Sequence, residues 1–117
     1  MRVAIVGSRN WREGERIADY INRLPADTVI ISGGARGADS MAAKIARYRG
    51  LEVVEYLPDW NANGKAAGVM RNTTIVENAD AVVAFWDGKS KGTIDTVNKA
   101  LAAAHIRQVI VIKSTFA

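Results

Sequence analysis

The chain has 117 residues, 49% of them hydrophobic, with 16 basic and 12 acidic side chains and a net charge of +4; this suits one domain with a real core, spanning 1–117, and is too short for two. It has no cysteine and one histidine, His105, which excludes a disulfide framework, a thiolate nucleophile, a zinc-thiolate centre and a His-cluster metal site. A charge of this size attracts anions but is modest beside that of proteins that track a nucleic-acid backbone.

The opening residues read as a core strand over 2–6 and not as a signal peptide, and no apolar run approaches spanning length, so a cytoplasmic location without a membrane partner is expected. Gly7-Ser8-Arg9 closes that strand. A helix is predicted over 13–24, with Ile17, Ile21 and Leu24 as its apolar stripe. The strand predicted over 28–31 breaks into Ser32-Gly33-Gly34-Ala35-Arg36-Gly37-Ala38-Asp39 and enters a helix over 38–49, with Met41, Ala42 and Ile45 inward and Gly50 at a left-handed cap. A strand over 51–57 and a helix over 66–78, with Val69, Thr73 and Val76 inward, come next. A strand over 81–85 runs into Trp86, Asp87 and the turn Gly88-Lys89-Ser90-Lys91-Gly92-Thr93. A helix over 93–105, with Ile94, Val97 and Leu101 inward, and a strand over 108–112 complete the pattern.

Strict alternation of strand and helix implies right-handed crossovers and an α/β fold, a doubly wound five-stranded parallel sheet of order 3-2-1-4-5. Its ligand crevice is expected at the carboxyl ends of the strands, between the first and the fourth, where the winding reverses. All the glycine-bearing turns open on that edge.

A buried strand that breaks into glycines and then enters a helix presents backbone N–H groups where the helix dipole favours negative charge, which makes Ser32 to Asp39 a phosphate cradle. Gly33, Gly34 and Gly37 let a ligand approach the main chain, and Arg36 adds a planar fork of donors. Ser8 and Arg9 bring a hydroxyl and a guanidinium suited to phosphate or ribose. Asp39 either accepts ribose hydroxyls or stabilises the first turn of its helix. Ser90, Gly92 and Thr93 form a second anion nest, with Ser90 or Thr93 as helix cap. Trp11, Trp60 and Trp86 each follow a strand end, so the indoles are expected on one rim, stacked on a base or packed under loops or at a subunit contact. Asp59 and Asp87 are either a carboxylate pair or simple turn residues, and His105 reads as a surface residue facing a helix dipole.

Four ordered segments, Gly7-Ser8-Arg9-Asn10-Trp11, Ser32 to Asp39, Gly68-Val69-Met70-Arg71-Asn72 and Phe85-Trp86-Asp87-Gly88 continuing to Gly92-Thr93, give the chain a resemblance to the SLOG superfamily of Rossmann-like proteins and, within it, to the YpsA-related family. The resemblance implies a pocket for a nucleotide or a nucleotide-derived ligand, with Arg71 and Asn72 in it. More distantly the chain resembles the lonely-guy phosphoribohydrolases and the DNA-processing proteins. Arg71 matches the catalytic arginine of the phosphoribohydrolases. Their signature glutamate is replaced here by Thr96, with Asp95 one residue early and about a quarter turn away on a helix.

The reading that follows is a binding module, a sensor or sequestering protein for a nucleotide-derived small molecule held by Gly7, Ser8, Arg9, Trp11, Ser32, Gly33, Gly34, Ala35, Arg36, Gly37, Asp39, Arg71, Asn72, Trp86, Gly88, Ser90, Gly92 and Thr93, with no cofactor and no metal. The alternative is an N-glycosidase acting on a nucleoside monophosphate, with Arg71 on the phosphate and Asp87 or Asp95 in place of the missing glutamate. Nucleic acid is not the expected partner, on the grounds of modest charge and short length. Pairing into a homodimer or higher homo-oligomer is compatible with the alanine-rich stretch from Ala100 to Ala104.

Overall fold

The computed structural model describes residues 1–115; the last two residues of the expected 1–117 domain lie outside the described residues. Five strands form one parallel sheet: β1 (Arg2–Gly7), β2 (Val29–Ser32), β3 (Glu52–Glu55), β4 (Ala81–Trp86) and β5 (Gln108–Lys113). Their order is β3-β2-β1-β4-β5. β1 pairs with β2 on one side, Arg2 opposite Val29, and with β4 on the other, Gly7 opposite Phe85. The predicted α/β architecture and strand order are those observed.

The central strands β1, β2 and β4 are buried on both faces, whereas the edge strands β3 and β5 are only partly covered, and the period of two sorts the side chains between two cores. Val3, Ile5, Ile30, Val83 and Phe85 meet Ile17 and Ile21 of α1 (Gly14–Asn22) and Ala38, Ala42 and Ala46 of α2 (Ala38–Arg49). Ala4, Val6, Ile31, Val82 and Ala84 meet Ile75 and Val76 of α4 (Ala67–Glu77) and Val97 and Ala100 of α5 (Lys91–Ala102). Helices that precede β3 thus cover one face and those that follow it cover the other, so the crossover from β3 to β4 marks the reversal of winding.

Helix ends are tied by recognisable chemistry. Gly50 takes the left-handed conformation at the end of α2, with φ +88°. α1 has no glycine cap; instead the Arg49 guanidinium donates to the carbonyls of Ile21 and Leu24 at its end. Before α1, the buried Glu13 carboxylate accepts the Thr115 amide and the hydroxyls of Ser114 and Thr115, each within 3.0 Å, and so fastens the chain beyond β5 to the start of the first helix. Burial pushes the Glu13 pKa up, but these hydrogen bonds outweigh it and hold the group below its ordinary range.

Three elements differ from their predicted form. The strand expected over 51–57 stops at Glu55, and a short helix, α3 (Trp60–Asn63), capped by the Asp59 carboxylate on the Ala62 amide, fills the stretch before α4. In α4 the expected inward residues Val69 and Thr73 are exposed, because the buried face runs through Ala67, Asn72, Ile75 and Val76. In α5 Leu101 is exposed and Thr93, Thr96, Val97 and Ala100 are buried; the helix ends at Ala102, short of His105. Among the described residues no helix is long and apolar enough to cross a membrane.

Candidate functional site

The carboxyl edge of the sheet carries a crevice of two lobes. The first, about 430 Å³, lies over the gap between β1 and β4 and is bordered by Gly7, Arg9, Asp39, Arg71, Asp87 and the start of α5 at Ser90, Gly92 and Thr93. The second, about 400 Å³, lies towards β3 and is bordered by Gly33, Gly34, Arg36, Leu57, Pro58 and Trp60. Arg9, Ala35 and Arg71 border both. The lobes therefore meet at two guanidinium groups.

The junction is built around Asp39. Its carboxylate, 4% exposed, sits on the first turn of α2 and accepts the Gly7 amide with Oδ1 and the Gly33 amide with Oδ2, both at 3.1 Å. One buried side chain thereby joins the ends of β1 and β2. Burial pushes its pKa up to about 6, against the pull of the Arg71 charge and of the amides of Gly33, Gly7 and Ala35. With both oxygens taken by the main chain, Asp39 positions backbone.

Arg71 reaches from α4 to the same turn. Its Nη1 donates to the Gly33 carbonyl at 2.5 Å and its Nε to Asn72 Oδ1 at 2.9 Å. The Asn72 amide in turn donates to the Gly92 carbonyl and to Asp95 Oδ2, at 3.3 and 3.1 Å. This chain of contacts fixes the guanidinium and explains why a polar residue occupies the buried face of α4. Burial lowers the Arg71 pKa, Asp39 raises it, and the like charge of Arg9 lowers it again.

On the far wall, the Asp87 carboxylate accepts the amides of Lys89 and Ser90 at 2.8 and 2.9 Å, and these bonds, the Lys89 amide foremost, hold its pKa low. Ser90 Oγ accepts the Thr93 amide and contacts the Thr93 hydroxyl at 2.9 Å, so Ser90 is the cap of α5. At Gly92 the backbone borders open space. The two positive-φ glycines of the Ser32–Asp39 turn differ in kind. Gly37, at +79°, passes so near the carbonyls of Ser8 and Arg9 that a Cβ has no room; Gly34, at +70°, lies beneath the Leu57 side chain.

Several expected ligand residues are structural instead. Ser8 is fully buried; its hydroxyl accepts the Asp87 amide and its carbonyl accepts the amides of Trp11 and Ala38, so it ties β1, β4 and α2 together beneath the crevice. Ser32, also fully buried, uses its hydroxyl on the Gly34 amide. The indoles do not share a rim. Trp11 is 3% exposed, edge-on to Phe85 in the core, because the chain after Arg9 folds back over the α1 face of the sheet. Trp86 lies behind the turn after β4, its N–H on the Ser90 carbonyl and the Lys113 ammonium 6.0 Å from its ring centre; Gly88 stands beside the same lysine. Only Trp60 borders the crevice. Asp95 borders neither lobe, being held by Lys99 at 2.8 Å and by Asn72; burial raises its pKa, but those bonds leave it lowered. Sequence reasoning passed over Leu57 and Pro58, although an exposed Leu-Pro-Asp-Trp run after a strand is itself a signal.

The family model described as YAcAr, the YspA, cpYpsA-related SLOG family, matches residues 1–62, which include the β1 turn, the Ser32–Asp39 cradle and Trp60. The chain belongs to this SLOG family. It is similar to the Gene 61 protein of Mycobacterium phage D29, 40% identical over 112 residues that cover 87% of this chain and 90% of that protein. The SLOG fold is shared with DNA processing protein A of Streptococcus pneumoniae, with a TM-score of 0.82 at 22% identity over 98% of this chain and 51% of that one. It is shared too with DNA processing protein A of Helicobacter pylori, with a TM-score of 0.70 at 20% identity over 99% of this chain and 66% of that one. The chain thus spans about half of the first and two thirds of the second.

The Helicobacter pylori protein was described for its unique single-stranded DNA binding mode, and this corrects the expectation that nucleic acid is an unlikely partner. That expectation averaged charge over the whole surface. Locally, Arg9, Arg36, Arg71 and Lys89 border the two lobes, while Asp39 and Asp87 accept main-chain amides.

Proposed function

We propose that the crevice binds a nucleotide unit without turning it over, the phosphate lying in the first lobe between Arg71, Arg9 and the start of α5. Membership of a SLOG family and the DNA-processing fold fit a nucleotide-related binding role. The observation that carries the reading is the Arg71 guanidinium, fixed by Gly33 and Asn72 at the junction of the lobes. A guanidinium already held in place loses little freedom on meeting a phosphate, and it sits beside a second arginine at the mouth of a helix whose dipole favours an anion.

The carboxylates favour binding over hydrolysis. An N-glycosidase needs an acid or base free to act on the sugar or on water. Asp87 borders the first lobe, but its Oδ1 accepts two amides of its own turn and its lowered pKa keeps it from serving as an acid, while Asp95 borders neither lobe and its Oδ2 is held by Lys99 and Asn72. The nucleotide unit comes either as a free molecule or within a single strand, and the two share the chemistry of the site.

Titration of the protein with nucleoside 5′-monophosphates and with a short oligothymidylate, followed by thermal shift and by chromatography of the mixture, tests the reading. A raised Tm with the ligand recovered intact is expected. Free base released beyond one equivalent per protein would favour the glycosidase.

A further inference from the structure

Trp60 and Leu57 expose 54% and 66% of their surface although neither serves the core. Large apolar side chains left in water at one spot call for an occupant. Both border the second lobe together with Pro58, Arg36, Arg9 and Arg71. The indole is steadied at its base, since α3 starts at Trp60 under the Asp59 cap, and its outer edge lies 3.7 Å from the place of a Cβ on Gly68 at the start of α4.

We propose that the second lobe is a nucleobase subsite with Trp60 as its stacking platform. The inference rests on the phosphate reading of the first lobe and extends it. A space lined by an indole, a leucine and guanidinium groups suits a flat, polarisable ring. Both kinds of wall stack on a π face, whereas an aliphatic guest would desolvate the arginines without return. Arg9 and Arg71 stand where the lobes meet, so a ligand with its phosphate at α5 and its base at Trp60 carries its sugar past them. Stacking reads the ring face and not its hydrogen-bonding edge, so the subsite accepts all four bases with modest preference.

The test compares the wild type with Trp60→Ala and Trp60→Phe, using ribose 5-phosphate, the four nucleoside 5′-monophosphates and a short oligothymidylate as probes, by calorimetry and tryptophan fluorescence. Nucleotides should bind the wild type more tightly than ribose 5-phosphate and quench its fluorescence. Trp60→Ala should weaken nucleotides about 5- to 150-fold while leaving ribose 5-phosphate unchanged, and Trp60→Phe should restore most of the affinity but not the quenching. Loss confined to the oligothymidylate would also support the platform and assign the base to a strand. Equal affinity of nucleotides and ribose 5-phosphate, or a Trp60→Ala protein that binds every probe as the wild type does, would overturn the inference and leave the phosphate site standing. Failure of all the probes to bind the wild type would instead remove the phosphate reading, and the base subsite with it.

Discussion

Asp39 and Arg71 grip the same residue from opposite ends. Asp39 Oδ2 accepts the Gly33 amide at 3.1 Å, and Arg71 Nη1 donates to the Gly33 carbonyl at 2.5 Å. A buried acid from the β1–β2 half of the sheet and a half-buried base from the β4 half thus meet at one peptide turn. The geometry of the crevice depends on both.

Asp39 gives stability a pH dependence of unusual sign. Its pKa rises from 3.8 to about 6 on folding, so the native state holds the proton more tightly than the unfolded chain. Its contribution is greatest below about pH 4 and falls as pH rises towards 6, by about 3 kcal/mol in all. Urea unfolding of the wild type and Asp39→Asn at pH 4.5, 5.5 and 7 should show the wild type's advantage shrinking with pH. An advantage that grows with pH would contradict the assignment.

Removing Arg71 leaves Asp39 buried without its counter-charge. Arg71→Ala should cost about 1–3 kcal/mol of stability at pH 7 and less at pH 5, where Asp39 is largely protonated. Arg71→Lys should not restore the wild-type value, because one ammonium does not span the Gly33 carbonyl and the Asn72 side chain as the planar fork does. Equal losses at both pH values would separate the two residues energetically.

Two positive-φ glycines provide a paired comparison. At Gly50 a Cβ meets nothing within 4 Å, so Gly50→Ala pays the backbone strain alone, about 1–2 kcal/mol. At Gly37 a Cβ also runs into the carbonyls of Ser8 and Arg9. Thermal unfolding should show Gly37→Ala to be the more damaging by a wide margin, and similar Tm losses would mean that the close approach at the crevice is absent.

Glu13 binds the chain after β5 through Ser114 and Thr115. Its lowered pKa makes this contribution present above the unfolded value, near pH 4.5, and lost as pH falls below it. Glu13→Ala should lower the Tm at pH 7 and abolish hydrogen-exchange protection of the Thr115 amide. Retained protection would show that the carboxylate is not what holds it.

The sheet was legible because its strands are continuous Val and Ile runs split by glycine turns, and those turns mark the carboxyl edge by chain order alone. The α4 stripe was misread because its buried face carries a polar residue. Asn72 occupies an inward position to hold Arg71 and Gly92, and apolar periodicity counts a buried amide as surface. Ser8 and Trp11 failed differently. Both follow a strand at the expected edge, but position along the chain does not say whether a side chain turns up to the crevice or down under it, and here Ser8 is consumed by Asp87 and Trp11 by Phe85. Glu13 gave no local signal, since its partners are about a hundred residues away in sequence.

Calorimetric titration of the wild type and Arg71→Ala with nucleoside 5′-monophosphates at pH 7 tests the central claim most directly. Binding to the wild type that is weakened at least tenfold in the variant, with the variant still folded by circular dichroism, is the predicted result. Undiminished binding to Arg71→Ala, or no binding to the wild type, would contradict a phosphate site at the meeting of the two lobes.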